Sequence, residues 1–168
     1  MSASSELRTF LLQTPFFGGL EEVALDCILG MTKERRCTVG EAVFNEGEQG
    51  RSMYVVLEGR LIASRMTRGT RVRLRHFNAG DFFGEMTLIE MQPRAWTVSA
   101  EQPARLLELS GSDMHRLYEK NIKAYVLVLQ NVNRELCRRV RMSDNRLAEL
   151  AGAAGDEATQ IGSMRNRP

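Results

Sequence analysis

From about Arg36 the apolar residues change their spacing, and that change limits the fold more than any other feature of this chain. Before it they recur at threes and fours. Leu20, Val23, Ala24, Cys27, Ile28 and Met31 in "LEEVALDCILGM" predict one amphipathic helix. Pro15 and the Gly18–Gly19 pair mark a turn out of a shorter first helix around "SSELRTFLL". After Arg36 the period falls to two, in short runs separated by Gly40, Gly47, Gly50, Gly59 and Gly69 at expected turns. "TRVRLRHF" is read as a strand with Val72, Leu74 and His76 on one side and Arg71, Arg73 and Arg75 on the other. A second strand block, "WTVSAEQPARLLELS", follows one helical insertion. Many short strands around a single helix predict a small β-barrel or sandwich.

Helix returns after Leu109, where Ser110 and Asp113 have the spacing of a capping box before "DMHRLYEK". A long helix is predicted from near Asn121. Its stripe of Tyr125, Leu129, Val132, Leu136, Val140, Ser143, Leu147 and Leu150 suits packing against a partner helix. The remainder, "AGAAGDEATQIGSMRNRP", is small, polar and unpatterned, and disorder is expected there.

Composition narrows the function. A formal charge of +2 is too small by itself to imply a nucleic-acid binder, although Arg134, Arg138, Arg139, Arg141 and Arg146 crowd one late segment. That crowding is read either as a solvated helix face or as a phosphate-backbone contact. Cys27, Cys37 and Cys137 lack metal spacing and read as buried or free thiols of a reducing cytosol. His76 and His115 are isolated, so no metal centre is expected. The first residues lack a secretory pattern, and "AYVLVL" is too short to span a bilayer. A soluble, cytoplasmic protein is expected.

The chemistry concentrates in "GDFFGEMTLIEMQPRAWTVSA", Gly80 to Ala100. A glycine just before a helix start lets backbone N–H groups approach an anion. Arg94 can add a forked pair of charge-assisted hydrogen bonds to phosphate oxygens. Glu85, an acceptor, suits a sugar hydroxyl instead. Together they describe opposite ends of a nucleotide, although the pair could equally bridge each other as a structural ion pair. No nucleophile–base pair accompanies them, so no catalytic residue is expected and the chain is not read as an enzyme.

"FGEMTLIEMQPRAWTVSA" resembles, through eighteen residues without a gap, the phosphate-binding cassette of cyclic-nucleotide-binding domains. The flanks "GEAVFNEGEQGRSMYVVLEGRL" and "TPFFGGLEEVALDCIL" are similar to that family as well, so the likeness runs from about Pro15 to Leu150. It implies an α+β fold: a β-roll or jelly-roll barrel with N-terminal helices, a short cassette helix and a long C-terminal helix. The boundaries expected are 1–34 for the first helices and 35–110 for the β-roll, with the cassette at 83–100. Residues 111–150 would form the later helices, including a long dimer or lid helix, and 151–168 the disordered tail. The resemblance also implies that Glu85 bonds the ribose 2′-hydroxyl, that Gly84 packs on the sugar, and that Arg94 pairs with the cyclic phosphate. Backbone N–H groups near Met86 and Ala95 would complete the cradle. Ala95 stands where cGMP-preferring relatives carry a threonine, which favours cAMP. On catabolite-activator-like relatives the long helix covers the adenine, a place that falls at Ser143 and Asp144 here, and Arg139 falls where a helix arginine meets the cassette glutamate.

Two positions depart from the family pattern: Thr87 replaces an alanine, and Trp96 replaces a small residue. An indole there can stack near a base, cap the pocket, fill it, or serve the core. The expected function is a stand-alone sensor of a 3′,5′-cyclic mononucleotide, cAMP or alternatively cGMP, with no other cofactor. It would signal to an effector protein of unknown identity by movement of the C-terminal helix, as a homodimer through that helix. The rival readings are a ligand-free interaction scaffold of the same fold and a transcription regulator. The eighteen residues after Leu150 are too few for a helix-turn-helix, so DNA binding is not expected, and neither is a membrane.

Overall fold

The computed structural model describes residues 4–165, with side chains described for 4–152. Two helices come first, α1 (Ser5–Leu12) and α2 (Glu22–Leu29). Ser4 caps α1 by accepting from the Leu7 N–H at 3.3 Å. On α2 the buried face is Ala24, Leu25, Ile28 and Leu29. Val23, expected on that face, is 76% exposed. Leu25 and Leu29 are better apolar contacts one position on, and they rotate the helix.

Eight strands follow: β1 (Lys33–Cys37), β2 (Ala42–Phe44), β3 (Ser52–Glu58), β4 (Arg60–Thr67), β5 (Thr70–Asn78), β6 (Phe82–Phe83), β7 (Thr97–Ala100) and β8 (Ala104–Ser110). They form two four-stranded sheets, in the orders β1-β8-β3-β6 and β2-β7-β4-β5, with every pairing antiparallel. The result is a pair of sheets rather than a closed barrel.

Their shared core holds Val43, Phe44, Tyr54, Val56, Leu61, Phe77, Phe83, Val98 and Leu106, with Trp96 packed half-buried against it. Each such side chain, fully buried, stabilises by roughly 1.5–3 kcal/mol. The two residues of β6 face opposite ways, as strand geometry requires. Phe83 enters the core, 4.9 Å from the Phe77 ring and 5.3 Å from Tyr54. Phe82 turns the other way, to Phe16 at 5.4 Å. That double anchorage fixes the backbone immediately before Gly84.

The strict alternation expected of "TRVRLRHF" is broken. Ala63 pairs Arg75 but Ser64 pairs Arg73, so Leu74 is an extra residue in a bulge. Arg75 stays on the side of Phe77, its guanidinium 4.9 Å from that ring. Arg73 instead reaches Glu101 at 3.8 Å, beside His76 Nε2 at 3.1 Å from the same carboxylate.

Three helices complete the chain: α3 (Glu85–Glu90) between β6 and β7, then α4 (Gly111–Lys120) and α5 (Ile122–Arg165). The capping box is present. Ser110 Oγ accepts from the Asp113 N–H at 3.2 Å, and Asp113 Oδ2 accepts from the Ser110 N–H at 2.8 Å.

The chain divides into two compact units, residues 1–132 and 133–168. In the first, α5 buries Ala124, Val128 and Val132, and Asn131 Nδ2 donates to the carbonyls of Phe16 (3.0 Å) and Gly18 (2.9 Å). Tyr125 and Leu129 of the predicted stripe are half-buried rather than buried. In the second unit, Glu135 accepts from Arg138 Nε at 2.7 Å and from Arg139 Nε at 2.9 Å. Burial pushes the Glu135 carboxyl up, and those two arginines outweigh it, leaving it below the usual carboxylate range. Val140, Leu147 and Leu150 of the predicted stripe are exposed. Helix α5 runs into the segment 151–168 where disorder is expected; side chains beyond Gly152 lie outside those described.

Candidate functional site

The site is built around one buried cation. Arg94 follows the exposed residues Met91, Gln92 and Pro93, yet is itself 5% exposed. Its guanidinium turns inward. Nη1 donates to the Gly84 carbonyl at 3.1 Å and to Thr87 Oγ1 at 3.2 Å, and Nη2 donates to the Ser52 carbonyl at 2.6 Å. The Phe44 ring lies beneath it, centroid to Cζ 4.0 Å. Backbone bonds from the Arg94 N–H to the Glu48 carbonyl (2.9 Å) and from the Gly47 N–H to the Arg94 carbonyl (2.8 Å) hold the residue in place.

Two glycines make room for this arrangement. Gly84 caps α3 at φ 84°, a left-handed conformation that costs other L-residues energy, and a Cβ there would lie 2.8 Å from Arg94 Nη1. At Gly50 a Cβ would collide with Arg94 Nε and Cζ. The spacing of Gly50 suggests a turn residue; its structural use is to admit the guanidinium.

No carboxylate forms an ion pair with Arg94 among the described residues, and its buried Nε has no hydrogen-bond acceptor. The reading of Glu85 and Arg94 as a structural ion bridge is therefore set aside. Burial pushes the guanidinium pKa down, opposed in smaller measure by Tyr54 and by the carboxylates of Glu48, Glu108 and Glu85. A buried charge paired only with neutral acceptors is costly, and an arriving anion relieves that cost.

Gly84, Met86, Arg94 and Ala95 line one small hollow of about 30 Å³, walled also by Phe44 and Trp96. Space of that size admits about one water. Glu85, 2% exposed, faces a groove of about 940 Å³ instead, lined by Gly50, Arg51, Leu88, Ser110, His115 and Tyr125 among others. Thr87 lines both. The sequence thus marks both ends of the cassette but not the partition between them. Of the other expected contacts, Arg139, Ser143 and Asp144 lie on the part of α5 that belongs to the second unit, with Ser143 and Asp144 exposed there. Sequence reasoning missed Gly50 as a packing residue, Ser52, which acts through its carbonyl, and Phe44. Only the glycine carried a signal, and that signal was ambiguous.

Two antiparallel sheets, a glycine-capped cassette helix and a buried arginine with no carboxylate in contact define the site. Residues 34–121 match the family model described as cyclic nucleotide-binding domain, and the chain belongs to that family. The chain is 30% identical over 139 residues to the cyclic AMP receptor protein of Thermus thermophilus, covering 82% of this chain and 62% of that protein. It is 28% identical over 157 residues to a cAMP-dependent protein kinase regulatory subunit of Mycosarcoma maydis, covering 92% of this chain but 29% of that one. Among solved structures, the Thermus thermophilus catabolite activator protein superposes with a TM-score of 0.73 at 29% identity, over 82% of this chain and 63% of that one. The regulatory domain of Toxoplasma gondii PKA, crystallised with cAMP, gives 0.63 at 26% identity, over 69% of this chain and 46% of that one. The chain spans less than two thirds of the length of each of these relatives.

The described residues hold no group of His, Cys, Asp or Glu side chains that could bind a metal ion. No described helix is long and apolar enough to cross a membrane.

Proposed function

We propose that this domain binds a 3′,5′-cyclic mononucleotide, cAMP in preference to cGMP, and reports it to a partner protein. The observation that carries the reading is the buried Arg94 guanidinium, held by carbonyls and a hydroxyl, with no counter-charge in contact and Nε unsatisfied. In this reading the cyclic phosphate is that counter-charge. Glu85 accepts from the ribose 2′-hydroxyl across Thr87, Gly84 packs on the sugar, and the backbone at Met86 and Ala95 closes the cradle. The Ala95 methyl offers no hydroxyl to a guanine amino group, which supports the preference for cAMP.

The small hollow is a further constraint: a phosphate needs more room than one water. Loading therefore has to move the 85–96 segment, and Met91, left-handed at φ 54° and 86% exposed, lies in that segment. The switch would be a population shift between two cassette positions, limited by the nucleotide's differential affinity for them. In the same reading the distal α5 pairs with a second copy. The module binds rather than turns over its ligand.

A panel of cAMP, cGMP and 5′-AMP, read by thermal stability, tests this. A ligand at a hundredfold its Kd stabilises by about 2.7 kcal/mol, so cAMP should raise the midpoint by several degrees and 5′-AMP by little. A flat response to every cyclic nucleotide would favour the scaffold reading.

A further inference from the structure

Six arginines and no acidic residue lie between Gly59 and Gly80, the span of the β4–β5 hairpin. Every residue from Arg65 to Leu74, its outer half, is exposed. Nothing in the nucleotide site uses it. Strand β5 ends its sheet and pairs only with β4, so its far backbone edge is open to another strand. Cross-strand neighbours share a face, which sets Arg71 with Met66 and Arg73 with Ser64 on one side, and Val72 with Arg65 on the other. Arg68 and Arg71 have no ion-pair partner among the described residues; Arg65 pairs with Glu46 at 2.9 Å, and Arg73, 3.8 Å from Glu101, keeps its side chain 75% exposed. Val72 and Leu74 are exposed at 41% and 45%.

Charge on an edge strand commonly serves only to keep edges apart. Mixed charges do that as well, whereas this hairpin carries one sign throughout and leaves apolar side chains beside it. Such an edge rejects its own kind, because a second β5 would bring arginines against arginines. It is complementary to a strand that alternates acidic and apolar residues. Acids two positions apart stand about 6.8 Å from each other along a strand and meet Arg71 and Arg73 in register, while the apolar residue between them meets Val72.

We propose that the outer β4–β5 hairpin docks an extended acidic segment of another protein, added as a strand to the free edge of β5.

The full chain is titrated with a fluorescent peptide that alternates glutamate and valine, and binding is read by anisotropy. Two comparisons isolate the mechanism. One peptide keeps the sequence but is N-methylated along its central backbone, so that it retains charge and loses its hydrogen bonds. One protein variant carries Arg71→Glu with Arg73→Glu, at exposed positions, with its thermal midpoint measured alongside. Saturable binding that N-methylation and the charge reversal each weaken by about tenfold or more supports the proposal. Equal binding of the N-methylated peptide, or undiminished binding to the variant, overturns it. So does tighter binding of a short DNA duplex or of phosphatidylserine vesicles than of the alternating peptide.

Discussion

Arg94 carries the account at the scale of single residues. It meets Gly84, Ser52 and Thr87 through two of its nitrogens, a fork that a lysine ammonium cannot reproduce. Arg94→Ala is expected to weaken cAMP binding by roughly 2–5 kcal/mol, since a desolvated phosphate loses its charge partner. Arg94→Lys is expected to recover only part of that loss in calorimetry. Thr87→Ala should act in the opposite direction. It frees one Nη1 hydrogen from the hydroxyl at 3.2 Å, so nucleotide binding should tighten by a few-fold while stability falls by about 0.5–1.5 kcal/mol. Gly84→Ala combines a left-handed backbone with a Cβ 2.8 Å from Nη1, and both should show as a lower thermal midpoint together with weaker binding. These residues differ in how legible they are from sequence. The glycine, the glutamate and the arginine are written in the cassette. The acceptors that aim the arginine are two backbone carbonyls and a hydroxyl that reads as a mild departure from pattern. Carbonyls leave no mark in a sequence, and so the inward turn of Arg94 could not be foreseen.

At the scale of elements, local chemistry predicts well where it is short-range. The capping box at Ser110 and Asp113, the helix starts and the series of short strands follow from spacing alone. Patterns fail where a longer-range register decides. The bulge at Leu74 overrides strict alternation, and a rotation of α2 exposes Val23 in favour of Leu25 and Leu29. Each failure comes from tertiary packing that weighs equally regular alternatives.

The capping box yields a pH prediction. Burial pushes the Asp113 carboxyl up, and hydrogen bonds from Ser110 together with Arg116 outweigh it, so its pKa lies below the ordinary aspartate range. A carboxyl depressed in the folded state contributes stability that is present above its unfolded pKa, about 3.9, and is lost as pH falls through its folded pKa. Ser110→Ala should cost about 0.5–2 kcal/mol near neutral pH. It should also shrink the stability that the protein loses on acidification below about pH 4. Denaturant melts at pH 7 and pH 3 check both parts.

For the whole molecule, the sheets and the first stretch of α5 belong to one unit, in which Phe82 packs on Phe16 while its neighbour Phe83 enters the sheet core, and residues 133–168 form a second. The fold class follows from the sequence because a switch in period, repeated glycines and a complete cassette all agree. The division of the site into a 30 Å³ hollow at Arg94 and a 940 Å³ groove at Glu85 does not, because it depends on how two sheets and three helices close around Thr87. Homodimerisation through α5 is a proposal at this scale. Sedimentation should show a dimer that Leu147→Glu with Leu150→Glu converts to monomer, and an unchanged mass would leave the distal stripe without that role.

Calorimetric titration of the native chain and of Arg94→Ala, each with cAMP and with adenosine, tests the central claim most directly. The account predicts saturable cAMP binding by the native protein, lost or weakened by roughly 2–5 kcal/mol in the variant, and little binding of uncharged adenosine by either. Equal cAMP affinity in both proteins, or none in the native one, would contradict it.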